Sequence, residues 1–126
     1  MKKEIFAAAL LILIFAGSLV NLHYLNSLTE ELTTQVEAAK ACVEESDWKK
    51  AAEYAESATK LWSESDYYTH IVLRHSEINI TTDAFYELLG GIYAENYGDS
   101  VGASRMLLDH IESITKMEEI RFGSIF

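Results

Sequence analysis

Residues 22–62, LHYLNSLTEELTTQVEAAKACVEESDWKKAAEYAESATKLW, decide the fold. Leu22, Leu25, Thr29, Leu32, Val36, Ala39 and Val43 are separated alternately by three and four positions. Side chains at those intervals stack on one side of an α-helix, so the run is a helix face turned toward a partner. The pattern stops at Glu45-Ser46-Asp47. Asp47 is a good N-cap for a second helix, in which Trp48, Ala51, Ala55, Ala58 and Trp62 repeat the spacing. Alanines between two tryptophans let a neighbouring helix come close, while the indoles fill the ends of the contact.

Toward the carboxyl end, Ser65 or Asp66 opens a third helix with the seam Ile71, His75, Ile78, Thr82, Phe85, Leu89 and Ile92. Gly90-Gly91 falls inside it. Each glycine costs about 1 kcal/mol against alanine in a helix, which predicts a bend or a frayed end there. Asn96-Tyr97-Gly98 reads as a turn. Asp99 or Ser100 then caps a fourth helix with the seam Ala103, Leu107, His110, Ile114 and Met117. Short connections make successive helices antiparallel, which brings the carboxyl end back to the level where the first helix starts. The segment DWKKAAEYAESATKLW has the spacing of a tetratricopeptide hairpin, but one unit does not make a solenoid. The absence of proline suits long helices.

Toward the amino end, Lys2 and Lys3 precede an uncharged run over residues 5–20, IFAAALLILIFAGSLV. These 16 residues fall just short of the roughly 20 that cross a bilayer, and residues 21–25, with the interfacial ring of Tyr24, complete the length. The competing reading is a signal peptide cut after Ser18, with Ala16 and Ser18 as the small flanking residues. An anchor is preferred because the helical pattern runs on through Leu22 without a break. The lysines favour a cytoplasmic amino terminus and a domain outside. The expected fold class is therefore all-α: an N-terminal transmembrane helix (residues 1–25) continuing into an antiparallel three- or four-helix bundle (residues 26–126). The expected location is the cell membrane, single-pass, with the bundle extracytoplasmic.

Charge narrows the partners. The chain carries −10, and from Asn26 onward 19 acidic side chains against 8 basic ones leave −11. Such a surface repels nucleic-acid phosphates and anionic headgroups, so no nucleic-acid partner is expected. The one cysteine, Cys42, makes neither an internal disulfide nor a zinc site by itself.

Few residues suggest chemistry. His75 and His110 occupy seam positions where apolar residues belong, and Asn79 lies one turn after His75. A polar group on a seam needs a partner, or costs roughly 1–3 kcal/mol. The pair is open to three readings: an ion site between facing helices, a pH sensor, or buried groups that each fix helix register through their own polar partner. A di-iron bundle needs Glu-x-x-His repeats, and the chain has none. The third reading is preferred, so no metal, cofactor or catalytic residue is assigned. Gly98-Asp-Ser-Val-Gly102 matches the nucleophile elbow G-x-S-x-G but lacks the strand that motif requires. Asn79-Ile-Thr81 matches a glycosylation acceptor in the middle of a helix. Trp48, Trp62, His75, Asn79 and His110 are thus the structural and interaction residues of interest.

Taken in order, several features resemble one family. They are the Met-Lys-Lys start, Asp47-Trp48 opening an Ala-rich helix, Trp62 closing it, His75 with Glu77-Ile78, His110-Ile111, and the final Ile125-Phe126. Together they resemble the bacterial family known as domain of unknown function 4363. Two positions depart from its pattern: Asn79 stands where an Asp is expected, and Gly123-Ser124 where an Asn is more usual. The resemblance implies a location and class, not a reaction. It implies a Gram-positive envelope protein and hints at a multi-spanning, YetF-like membrane partner. The expected function is a membrane-anchored interaction module and not an enzyme. The alternative is a small ion- or pH-sensing domain that uses His75 and His110.

Overall fold

A computed structural model describes the backbone of residues 1–73 and 75–125, and the side chains of these apart from Tyr67, Ile71, Val72, Phe122 and Ile125. Five helices follow one another: α1 (Lys2–Glu44), α2 (Trp48–Glu64), α3 (Asp66–Val72), α4 (His75–Tyr93) and α5 (Tyr97–Ile125). Among the described residues there is no strand. The second half of α1 packs with α2, α4 and α5 as a four-helix bundle, and the short α3 links α2 to α4. The all-α expectation holds.

The bundle's spine is the seam read from the sequence, joined on α1 by Leu28, which that reading did not include. Leu25, Leu28, Thr29, Leu32, Val36, Ala39 and Val43 are buried along α1, and Ala51, Ala55, Ala58 and Trp62 along α2. Leu22 and Trp48 are half-buried. The alanines do what their size allows, letting α2 lie close to its neighbours. Trp62 closes the layer, its ring stacked on Phe85 of α4 at 5.8 Å between centroids.

The α1–α2 and α4–α5 turns share one construction. Ser46 and Glu95 adopt positive φ (61° and 52°) directly after a helix. In each case the next residue's N–H reaches back to a carbonyl five positions earlier: Asp47 to Cys42 at 2.8 Å, Asn96 to Gly91 at 2.9 Å. This is the Schellman closure, which normally employs glycine. A non-glycine residue there costs roughly 1–2 kcal/mol. The same next residue then caps the following helix: Asp47 accepts from the Lys50 N–H at 3.2 Å, and Asn96 from the Asp99 N–H at 3.0 Å. Asn96 is thus the cap of α5. Asp99 and Ser100, expected in that role, lie inside the helix.

Three more expectations are corrected. The third helix is two helices, because Leu73 turns to extended backbone (φ −109°, ψ 158°) and buries its side chain. Helix α4 runs on through Gly90 and Gly91 to Tyr93. A Cβ on Gly91 would meet the Oγ, N and Cα of Ser100 at 3.0, 3.1 and 3.3 Å. That glycine is therefore a point of close approach between α4 and α5 rather than the expected bend or frayed end. On α5 the buried face is Ser100, Ser104, Leu107, Ile111, Ile114 and Glu118. It is turned one residue from the expected seam, so Ile111 occupies the core and His110 flanks it.

The helices alternate in direction. Along α2 and α4, Glu56 meets Tyr93 and Trp62 meets Thr82. Along α1 and α5, the hydroxyl of Thr115 donates to that of Thr29 at 3.0 Å. At the end where α1 enters the bundle, Tyr68 of α3 donates to the backbone carbonyl of Asn21 at 3.0 Å and also meets that residue's side-chain oxygen.

Candidate functional site

The most distinctive feature is the two-part character of α1. Residues 5–17 are exposed, and none of the helix's apolar window is covered by the bundle. From Leu25 the same helix becomes the buried spine. By length and composition the apolar part suffices to span a membrane or act as a signal sequence.

Of the singled-out residues, Trp62 is 5% exposed and its indole N–H donates to Thr82 Oγ1 at 2.9 Å. Trp48 packs half-buried against the core from the other end of α2. His75 is exposed, contrary to its expected burial. The extended residue Leu73 resets the helix phase, and His75 becomes the first residue of α4 rather than a seam position. Its ring meets that of His70 at 5.5 Å between centroids, and His70 Nδ1 lies 3.0 Å from an Asp66 carboxylate oxygen. Asn79 is exposed, and the Thr82 hydroxyl accepts from Trp62. His110 is half-buried and lines a small cleft between α4 and α5, with Glu77, Ile80 and Thr81 on one side and Met117 on the other. His75 and His110 thus have different surroundings. Among the described residues no three His, Cys, Asp or Glu side chains are grouped to hold a metal ion. Ser100 is wholly buried within α5, so the G-x-S-x-G match presents no accessible hydroxyl. The expected seam residue Ile71 lies outside the described side chains.

Two open grooves flank α5. Between α1 and α5, one of about 470 Å³ is lined by Asn26, Glu30, Glu37, Glu112 and Glu119 together with threonine hydroxyls. Lys116 offsets Glu112 at 2.9 Å, and Glu30, Glu37 and Glu119 keep the groove acidic. Between α4 and α5 a second, also about 470 Å³, exposes backbone at Gly90, Gly98 and Gly102 beside Met106.

Where α1 enters the bundle, a set of polar groups gathers that the seam pattern did not reveal. Tyr24 and Tyr68 meet edge to face at 4.4 Å. Burial, then the nearby Glu118 carboxylate, pushes the Tyr68 phenol up to about 12. Glu118 is 6% exposed and pairs with Arg121 at 3.0 Å. Burial raises its carboxyl above the usual range, Arg121 opposes that, and Glu77 adds to it. The signal for Glu118 was present: it continues the spacing Leu107, Ile111, Ile114. At the opposite end, burial followed by Asp47 and Glu45 raises the Cys42 thiol, which works against thiolate chemistry.

These geometries belong to a known sequence pattern. The chain matches the family described as domain of unknown function (DUF4363) over residues 19–125. The chain belongs to that family. The DUF4363 match takes in all of α2 to α5 and α1 from Leu19 onward. No curated protein and no solved structure matches the chain.

Proposed function

We propose that this DUF4363 chain is a membrane-anchored, extracytoplasmic docking module that binds another envelope or membrane protein and catalyses no reaction. One observation carries the reading: α1 is a single 43-residue helix that is apolar and uncovered in its first part and the bundle's buried spine in its second. A cleaved leader has no need to share an unbroken helix with the domain behind it. Helix formation is cooperative, which favours carrying one unbroken rod from the apolar part into the packed part. Lys2 and Lys3 set the amino end in the cytoplasm by the positive-inside rule.

The acidic α1–α5 groove supports a docking role. Glu30, Glu37 and Glu119 along one cleft, beside the Lys116-paired Glu112, steer a positively charged segment and fix its orientation more than its affinity. The partner is accordingly a protein that presents a basic extracytoplasmic segment, and a multi-spanning, YetF-like membrane protein is the first candidate. Topology is tested by adding protease to intact protoplasts that carry the chain with a carboxyl-terminal tag. The tag should be digested while the anchor stays in the membrane. A soluble secreted form beginning near Leu19 would overturn the anchor. Docking is tested by photo-crosslinking in cells from positions 30 and 112. A specific adduct is expected from those positions, and none from Glu53 on the opposite helix. Its absence there would remove the groove from the interaction.

A further inference from the structure

We infer that the last turns of α5 enter the headgroup layer of the same bilayer that α1 crosses, so the bundle stands on the membrane at two points. This rests on the anchor reading above.

Register supplies the first argument. Thr115 and Thr29 touch across antiparallel α5 and α1. Nine residues lead from Thr29 back to Val20, where the apolar run ends, and nine lead from Thr115 on to Ser124. At about 1.5 Å per residue both distances are roughly 14 Å. Ser124 therefore lies level with Val20, and Ile120 level with Tyr24, about 6 Å above the hydrocarbon edge. The headgroup layer on each side of a bilayer is roughly 5–8 Å thick, so Ile120 falls within it.

Exposure supplies the second. Ile120 is 69% exposed and Met117, one turn above it, 36%. Two large apolar side chains thus project beside each other from the part of α5 that the register brings lowest. Residues 120–126 read IRFGSIF, a segment with one charge. Arg121, which carries that charge, is already paired with Glu118. The third argument is the Tyr24–Tyr68 pair at the same level. Tyrosine rings with one polar end are the side chains that gather at a membrane–water boundary. The acidic domain repels anionic headgroups, so the occupant is a zwitterionic phospholipid surface.

The test uses the full chain with Cys42→Ser, carrying single labelled cysteines at Leu10→Cys, Ile120→Cys or Asp99→Cys. Each carries an environment-sensitive fluorophore and is reconstituted in phosphatidylcholine vesicles with and without spin-labelled lipid. Leu10 reports the anchor, Ile120 the proposed contact, and Asp99 the far end of the bundle. Circular dichroism confirms that each variant keeps its helices. Spin labels on the headgroups should remove most of the fluorescence at position 120 and little at 99, and acyl-chain spin labels should quench position 10. Quenching at 10 without quenching at 120 overturns the inference and leaves the anchor standing. Equal quenching at 120 and 99 also overturns it, since the bundle would then lie flat. No quenching at 10 removes the anchor and this contact with it.

Discussion

Removing the Trp62 ring should be the most damaging single change in the bundle. The indole is 5% exposed, stacks on Phe85 at 5.8 Å and donates to Thr82 Oγ1 at 2.9 Å. Ala55 and Ala58, buried on the same face of α2, are too small to fill a void. Tryptophan-to-alanine changes in such surroundings cost about 3–5 kcal/mol, against a total of roughly 5–15 kcal/mol for a domain of this size. At about 4 °C or more per kcal/mol, Trp62→Ala should lower Tm by at least ~12 °C. Trp62→Phe separates the contributions: it keeps a ring against Phe85 and loses the hydrogen bond, worth about 0.5–1.5 kcal/mol, plus part of the packing. It should fall well short of the alanine loss. The assay is thermal unfolding of the full chain in detergent, followed by far-ultraviolet circular dichroism. The apolar part of α1 stays helical in the micelle, and the cooperative step reports the bundle. A shift of about 2 °C or less for Trp62→Ala, under half a kcal/mol on the same scaling, would refute the packing argument.

Other perturbations separate neighbouring residues. Gly91→Ala should destabilise by about 1–3 kcal/mol, because its Cβ meets the Ser100 backbone and two helices have to part. Gly90→Ala meets nothing within 4 Å and should stabilise by about 0.8–1 kcal/mol through helix propensity. Denaturant titration of both checks the opposite signs, and equal signs would remove the close contact. Glu118 gives a pH dependence. Its raised carboxyl holds a proton more tightly folded than unfolded, so its contribution is complete below the ordinary 4.5 and is lost as pH rises through the folded value. Glu118→Gln should therefore gain in Tm relative to the natural chain as pH is raised from 4.5 toward neutrality. A difference that stays constant with pH, or reverses, would show that Arg121 outweighs burial.

The sequence made the α1 and α2 seams legible because each of those helices buries one narrow face, and three-four spacing finds a narrow face unambiguously. Leu25 to Val43, apart from the buried Leu28, and Ala51 to Trp62 agree with the reading. Helix α4 buries a wider face. On α4, Phe85 meets Trp62 of α2 while Gly91 meets Ser100 of α5, so Thr81, Ala84 and Leu88 are buried beside Ile78 and Ile92. Two interleaved seams then fit a single helix, and spacing alone does not choose between them.

The two histidines depart from expectation for different reasons. On α5, Leu107 and Ile114 belong equally to a seam through His110 and to one through Ile111. Burial energy settles the choice, because an isoleucine in the core is favoured by about 1.5–3 kcal/mol, whereas an imidazole there needs a partner. His110 is consequently left half-buried beside Glu77. On α4 the expected seam treats the helix as continuous across Leu73, where the backbone is extended. No proline or glycine announces the break there, since the signal is only the burial of Leu73 itself. The turns show the same limit from the other side. Ser46 and Glu95 occupy positions where glycine would have marked the helix ends, and what identifies them is the Asp or Asn that follows and caps the next helix. A turn written as a left-handed residue followed by an Asx cap is therefore readable from its second residue. Applied to Glu95-Asn96, that rule places the start of α5 at Tyr97 and removes the need for a cap at Ser100.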